Sequence, residues 1–208
     1  MECGYLELMR WKKCNCMKLN NKYYVLRHGE AVSNVKDIVS CWPEKFNNPL
    51  TKKGVVKINR AASQLEKKKI DLIFHSPLLR TTQTAEIIGK RLKVRIRKEK
   101  RLREIEFGIF NGGSETEFVK YFRNRIERIK REAPKGEDYT DVLKRMWNFF
   151  QEINKKYKGK NILIVSHQAP LLLLIGKING NSIAESMDGI VRVTGERRII
   201  KGQLIEVN

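Results

Sequence analysis

Residues 22–34 form a short apolar run that gives way to charged and polar residues: Lys-Tyr-Tyr-Val-Leu-Arg-His-Gly-Glu-Ala-Val-Ser-Asn. Aromatic, β-branched and aliphatic residues follow one another through Leu26, which predicts a buried β-strand over Lys22–Leu26. Arg27 and His28 end the apolar run, and a glycine follows them. The sequence therefore predicts a buried strand whose carboxyl end carries a polar site.

The residues after this strand suit attack on phosphorus. A neutral imidazole is a nucleophile, and a neighbouring cation lowers its pKa by like-charge repulsion, so Arg27 favours the neutral form of His28 near pH 7. The guanidinium of Arg27 can also bind a phosphoryl oxygen. We expect Gly29 to permit a tight turn that brings the backbone close to a ligand, and Asn34 to direct its amide at the same anion.

Strand and helix patterns alternate along the rest of the chain. Ser40–Leu50 is rich in Pro and Asn, which predicts a loop. Thr51 is a suitable helix N-cap, and apolar residues then recur at helical spacing as Val55, Ile58, Ala62 and Leu65. Short strands are predicted over Asp71–Phe74, Val94–Arg97 and Lys160–Ser166, with edge strands at Ile190–Val193 and Gln203–Val207. One helix is predicted to start near Arg80, after the second strand, and a long apolar helix is predicted from Leu171. This alternation favours βαβ units and a parallel sheet.

A largely helical segment lies between Asn111 and Asn161. An apolar stripe made of Phe118, Phe122, Ile126 and Ile129 predicts a first helix, which Pro134-Lys135-Gly136 interrupts. A second helix is predicted over 139–157. We expect the first helix to cover a pocket and to determine which substrate is accepted.

The composition indicates one domain. The chain has 208 residues, 41% of them hydrophobic, which is enough for one substantial core and few for two. No apolar run approaches the ~18 residues that span a bilayer, and no secretory signal pattern opens the chain. We therefore expect a cytoplasmic protein without a membrane partner, either a monomer or a homodimer.

Residues 1–20 show no periodicity that assigns a structure, and we expect the domain proper to span 21–208. This leader could be disordered, an extra element on the domain, or a stretch upstream of a true start at Met17. Its Cys14-Asn15-Cys16 could serve a soft metal, but no Cys-x-x-Cys pair and no histidine lies nearby to complete a tetrahedral site. We interpret these cysteines, Cys3 and Cys41 as reduced thiols and predict no metal site.

The net charge of +20 suggests an anionic partner, which could be a nucleic acid, a membrane surface or an acidic substrate. However, the lysines and arginines are spread over several predicted helices, without an aromatic RNA-binding signature or zinc-finger spacing among them. We therefore interpret the charge as a solvated surface and predict no specific nucleic-acid partner.

Four strings, each beside a predicted strand or in an extended segment, resemble those of the histidine phosphatase superfamily, in its phosphoglycerate-mutase-like branch. They are Arg27-His28-Gly29-Glu30, then Ser-Pro-Leu-x-Arg-Thr-x-Gln-Thr-Ala over 76–85, Leu-x-Glu before an aromatic-Gly pair over 102–108, and Ser166-His167. Leu50-Thr51-x-x-Gly54 and Pro134-Lys135-Gly136-Glu137-Asp138 resemble two further family segments. The resemblance implies a three-layer α/β/α sandwich with a mostly parallel central sheet and a small helical insertion, about 113–158, over the active site.

The resemblance also implies roles for individual residues. His28 would attack a phosphomonoester and form a phosphohistidine, while Glu104 would act as general acid and then as general base. Glu106, two residues away on an extended segment, is the second choice for this role. The phosphoryl oxygens would be held by four side chains: Arg27, Asn34, Arg80 and His167. No metal and no cofactor is implied.

Two positions depart from the family pattern. Gln168 follows His167 where the family usually has glycine. We place it among the phosphate-binding residues, and the substitution leaves open how its backbone N–H approaches a phosphate. His75 ends the second strand where relatives usually carry a smaller residue, and we expect it to lie near the pocket without a catalytic role.

The predicted function is a metal-independent phosphomonoester hydrolase that acts on a small phosphorylated metabolite. The alternative within enzymes is a mutase, which returns the phosphoryl group to substrate, although the modest insertion favours hydrolysis. The alternative from another class is a basic nucleic-acid-associated module that does not rely on catalysis.

Overall fold

A computed structural model describes residues 18–124, 126–188 and 199–207. Most of the leader lies outside these ranges, including Met17 and the cysteines at 3, 14 and 16. The edge strand predicted at Ile190–Val193 also lies outside them.

A five-stranded sheet forms the centre of the domain, in the order β3-β2-β4-β1-β5. The strands are β1 (Lys22–Arg27), β2 (Leu72–His75), β3 (Ile96–Lys98), β4 (Asn161–Ser166) and β5 (Leu204–Val207). β1 and β4, β4 and β2, and β2 and β3 pair in parallel, whereas β5 pairs antiparallel with β1 at one edge. The mostly parallel sheet predicted from the sequence is therefore confirmed.

Helices cover both faces of the sheet. They are α1 (Val32–Val35), α2 (Lys52–Glu66), α3 (Leu79–Leu92), α4 (Glu115–Lys120), α5 (Tyr139–Lys156), α6 (Gln168–Ile178) and α7 (Ile183–Asp188). Successive strand residues point to opposite faces, so Tyr24 and Leu26 pack with α2 and α3, while Tyr23 and Val25 pack with α5 and α6. This arrangement is the predicted α/β/α sandwich. Within the described ranges, no helix is both long enough and apolar enough to cross a membrane.

The helical segment predicted as an insertion divides into two parts. α5 buries Val142, Met146 and Phe150 against the sheet and is one of its covering helices. Residues 115–129 instead line a cavity at the carboxyl edge of the sheet. The first residue of α5, Tyr139, also lines this cavity.

The prediction of one helix through 118–129 is wrong. α4 ends at Lys120, and a separate 3-10 turn spans Ile126–Ile129. The Glu127 carboxylate accepts a hydrogen bond from the Arg123 amide, and the Asn124 side chain accepts one from the Glu127 amide. These side-chain bonds to the backbone favour a new turn over continuation of the helix.

Two smaller predictions about helices also differ from the structure. Val55, predicted on the buried face of α2, is 36% exposed. The helix after β4 begins at Gln168 rather than at Leu171, because Pro170 lies in its first turn, where the missing proline N–H would have no intrahelical partner. Thr51 is confirmed as an N-cap, since its hydroxyl accepts a hydrogen bond from the Gly54 amide at 2.9 Å.

Candidate active site

The carboxyl ends of three neighbouring parallel strands bring the predicted histidines together. β4 lies between β1 and β2, with Arg27 in register with Ser166 and His75 in register with Val165. The His28 amide donates to the Ser166 carbonyl, so His28 and His167 leave adjacent strands side by side. Their rings are 5.1 Å apart between centroids.

The hydrogen bonds of His28 define its tautomer. Arg80 Nε can only donate, and it lies 3.2 Å from His28 Nε2, so Nε2 carries a lone pair. Nδ1 lies 2.7 Å from the Gly29 carbonyl oxygen, which can only accept, so Nδ1 carries the proton. Burial, followed by the charges of Arg80 and Arg27, lowers the pKa of His28 well below its usual value. His28 is therefore a neutral imidazole with its nucleophilic nitrogen next to a guanidinium.

His167 is held in the complementary tautomer. Its Nδ1 lies 3.2 Å from Arg80 Nη2, which donates, and its Nε2 lies 2.8 Å from Ser76 Oγ. Burial is the main cause that lowers the pKa of His167 well below its usual value, and the positive charge of Arg80 adds to this effect. Arg80 thus contacts both imidazoles at once, through Nε on one and Nη2 on the other.

Arg80 is buried, and its guanidinium has several protein partners. Besides the histidines, Nη2 donates to the Ser40 carbonyl at 2.9 Å, and Nη1 forms an ion pair with Glu44 at 3.2 Å. The other Glu44 oxygen accepts from the Leu79 amide at 2.8 Å, at the start of α3. The loop after α1 therefore wraps around Arg80 and neutralises part of its charge.

Glu104 lies on an extended segment that Arg145 holds in place. Arg145 Nη1 donates to the carbonyls of Arg101 and Arg103, and its Nη2 donates to the Glu104 carbonyl at 3.1 Å. Glu137 binds the same guanidinium through two contacts of 2.9 Å each. Because five N–H donors of one planar group are shared among carbonyls and a carboxylate, the backbone that carries Glu104 is fixed.

The Glu104 carboxyl group faces both arginine and histidine. Its Oε2 lies 4.0 Å from His167 Nδ1, and its Oε1 accepts from the Ile105 amide. Burial raises the pKa of Glu104, although that amide and the Arg80 and Arg27 charges oppose the shift. Such a carboxyl group is suited to donate and accept protons near neutral pH.

Most of the candidate side chains line one cavity of about 420 Å³. Arg27, His28, Asn34, Arg80, Glu104 and Gln168 belong to its lining. Phe107, Phe118 and Phe122 form an aromatic part of its wall. The structure thus gathers six of the seven candidate residues around the same space, and His167 is buried behind them, in contact with Arg80.

Residues 23–195 match the histidine phosphatase superfamily (branch 1). The chain belongs to the histidine phosphatase superfamily. Among its curated relatives is phosphoserine phosphatase 1 of Hydrogenobacter thermophilus, 27% identical over 155 residues, which cover 72% of each chain. The probable phosphoglycerate mutase GpmB of Photorhabdus laumondii is 31% identical over 166 residues, 76% of this chain and 74% of the relative.

Solved structures of the superfamily share the fold. YhfR of Bacillus stearothermophilus has a TM-score of 0.70 and 28% identity, with 80% of this chain and 83% of that chain covered. The alpha-ribazole phosphatase from Shigella flexneri has a TM-score of 0.74 at 22% identity, with 90% of each chain covered, which shows the fold alone. The histidine phosphatase fold and membership of a group of phosphatases and mutases are therefore established.

The departure from the family pattern at Gln168 has a structural counterpart. Gln168 is the first residue of α6, and its side-chain oxygen accepts from Arg27 Nη1. Arg27 also donates to the Ile199 carbonyl at 2.9 Å. The glutamine side chain thus helps to hold Arg27 at the wall of the cavity.

Position 29 requires glycine for a different reason from the one predicted. A Cβ on Gly29 would lie 2.8 Å from Ile58 Cγ1, so this residue faces α2 rather than the ligand. Gly54 of α2 is equally constrained, because its Cβ would lie 2.2 Å from the Glu30 carbonyl oxygen. The two glycines let α2 pack tightly against the turn that carries His28.

Glu106 and His75 do not line the cavity. Glu106 pairs with Arg103 at 2.9 Å, on the other side of the extended segment from Glu104. His75 is buried, and its Nδ1 lies 2.8 Å from the Ser76 carbonyl oxygen. Cys41 is a free, buried thiol, and burial raises its pKa to about 11.

The sequence patterns assigned no role to several residues that shape the site. Ser76, within a quoted string, orients His167, and Thr84 accepts from the Gly29 amide at 3.2 Å. Lys201 lines the cavity near Arg27, and burial lowers its pKa. Ser76 and Thr84 could have been found from their place in the string, whereas Lys201 and Glu44 carry no local signal.

Proposed function

We propose that this protein is a metal-independent phosphomonoester hydrolase that works through a phosphohistidine on His28 and acts on a small phosphorylated metabolite. The observation that carries the proposal is the unprotonated Nε2 of His28, 3.2 Å from Arg80 Nε and beside His167. A neutral nucleophile surrounded by cationic and neutral donors suits a phosphate dianion.

In the first half-reaction, Nε2 of His28 forms a bond to phosphorus as the ester P–O bond breaks in line. The Arg80 Nε–H that faces the His28 lone pair would instead donate a hydrogen bond to a phosphoryl oxygen, and Arg27 and Asn34 would bind the remaining oxygens, while His167 holds Arg80 in place through Nδ1. Protonated Glu104 gives its proton to the leaving alkoxide. The arginines supply the positive charge for this step.

In the second half-reaction, ionised Glu104 takes a proton from water as the water oxygen attacks phosphorus. The N–P bond breaks, its electron pair returns to Nε2, and inorganic phosphate is released. Glu104 is then protonated again, so the cycle closes with its proton and the neutral His28 tautomer restored.

A mutase is the second candidate because curated relatives include proteins named probable phosphoglycerate mutase GpmB. It would use the same phosphohistidine and return the phosphoryl group to an acceptor substrate. The elements in the cavity-lining segment are short, a helix of six residues and a 3-10 turn of four, and we infer from this modest size that hydrolysis is favoured.

A panel of phosphomonoesters tests the proposal, with phosphate release measured in the presence of a chelator. We expect hydrolysis of several members of the panel, and its loss in His28→Ala. A phosphoenzyme that only a sugar acid discharges would instead identify a mutase. If no member is hydrolysed while RNA binding persists in His28→Ala, a basic nucleic-acid-associated module replaces the proposal.

Removal of the Glu44 charge is expected to strengthen phosphate binding rather than weaken it. Because its carboxylate competes with phosphate for Arg80, Glu44→Gln should bind inorganic phosphate more tightly, by about 5- to 20-fold, on the order of 1 to 2 kcal/mol. Inhibition of hydrolysis by phosphate measures this affinity. Glu66→Gln, which removes a carboxylate from the surface ion pair with Arg91, is the matched control and should leave the affinity unchanged. Weaker phosphate binding in Glu44→Gln would show that Glu44 only supports the fold.

A further inference from the structure

Arg128 occupies an aromatic wall of the same cavity. Its guanidinium carbon lies 4.5 Å from the ring centroid of Phe118 and 4.9 Å from that of Phe122. Its Nη1 lies 3.5 Å from the Tyr139 hydroxyl. Stacking on two rings fixes the plane of a guanidinium while leaving its edge available for hydrogen bonds.

Arg128 forms no ion pair with the described residues, unlike Arg103, Arg131 and Arg145. Arg103 and Arg145 share Glu137, and Arg131 pairs with Glu127. Within the described part of the chain, Arg128 Nε is a buried donor that has no hydrogen-bond partner. A buried donor without a partner raises the free energy of the folded protein, and an anion bound at Arg128 would supply the missing partner.

The charges of the cavity are unbalanced on this wall. Arg123 and Arg128 both line it, and of the described acidic residues in 115–129 only the exposed Glu115 lines the cavity. Arg128 contacts Tyr139, Phe118 and Phe122 and is thus held apart from the cations that contact His28. The cavity therefore presents a second cationic position besides the one proposed for the phosphoryl group.

We propose that Arg128 binds a second anionic group of the substrate, a carboxylate or a phosphate, while the phosphoryl group to be transferred lies at His28. This inference rests on the proposed phosphatase function. A planar fork of donors matches the oxygens of either anion, and binding energy from a remote group can stabilise the transition state at the reacting one.

Matched substrate pairs test this inference. O-phosphoserine and O-phosphoethanolamine differ by a carboxylate, and fructose 1,6-bisphosphate and fructose 6-phosphate differ by a phosphate. We expect the native protein to favour the more anionic member of at least one pair in kcat/KM by about 10- to 100-fold, the range of a charge-assisted hydrogen-bonded contact. The pair that shows the preference identifies the anion.

Arg128→Met should reduce that preference to less than about threefold and leave kcat/KM for the less anionic member nearly unchanged. Arg128→Lys keeps the charge but not the paired N–H donors of the guanidinium, and it should retain part of the substrate preference. This variant decides the result if Arg128→Met does not fold. Arg131→Met is the matched control, because Arg131 also stacks on Phe122 and lies in the same segment. We expect it to keep the native preference.

The outcomes separate this inference from the function on which it rests. If the native protein hydrolyses the four substrates without preference, or if the preference survives in Arg128→Met, Arg128 is not an anion site although the phosphatase proposal stands. If none of the four substrates and no other phosphomonoester is hydrolysed, the proposed function itself is wrong.

Discussion

His28→Ala is expected to lower kcat/KM for phosphomonoesters by about 10⁴-fold or more, the scale seen when a catalytic nucleophile is removed. The variant loses the Nε2 lone pair that faces Arg80. The other imidazole that contacts Arg80, that of His167, accepts a hydrogen bond from this arginine through its Nδ1 and does not replace the nucleophile. The arginines can still bind phosphate, so phosphate affinity should change far less than the rate. Steady-state kinetics and phosphate inhibition measure the two quantities separately.

His75→Ala is the matched control for this prediction. His75 ends β2 much as His28 follows β1, it is equally buried, and its Nδ1 is likewise next to a backbone carbonyl. Its removal should lower stability, with activity of the folded protein remaining within a few-fold of the native value. Comparable losses of activity in both variants would mean that His28 matters for the fold rather than for the chemistry.

Glu104→Gln is expected to lower kcat/KM for alkyl phosphates by about 10²- to 10⁴-fold, the usual contribution of a general acid. The loss should be much smaller for 4-nitrophenyl phosphate, because 4-nitrophenolate leaves without a proton. Competition between the two substrate types in initial-rate assays measures this difference. A uniform loss for both types would contradict the assignment of Glu104 as the acid.

The pH dependence provides a second test of Glu104. Burial raises the pKa of this carboxyl group, and its protonated form is the active acid in the first half-reaction. The kcat/KM of the native protein should therefore fall as the pH rises through the Glu104 pKa, and this alkaline decline should be absent in Glu104→Gln. Glu106→Gln, whose carboxylate pairs with Arg103, should keep the native profile.

The strands and the strings that end them could be predicted from the sequence. Parallel strands buried on both faces form short continuous apolar runs, and Lys22–Arg27 and Asn161–Ser166 are such runs. The residue after each run lies at the same sheet edge, so the strand pattern alone predicts that His28 and His167 are close together. Arg80 followed from the helix start after β2.

The supporting contacts could not be predicted, because they join residues far apart in the chain. Arg145 binds the Glu104 carbonyl across 41 positions, and Glu44 binds Arg80 across 36. No local pattern distinguishes these charged side chains from the many solvated ones in a chain with a net charge of +20. The break within 118–129 was missed for a related reason, since Asn124 and Glu127 bond to the backbone rather than to solvent.

Trapping the covalent intermediate tests the central claim most directly. Native protein mixed rapidly with a ³²P-labelled phosphomonoester and quenched in alkali, where phosphohistidine is stable, should carry label on the peptide that contains His28. The label should be lost in acid, and His28→Ala should carry none. Label on another residue, or turnover of the substrate by native protein without any labelled histidine at times shorter than one turnover, would contradict the mechanism.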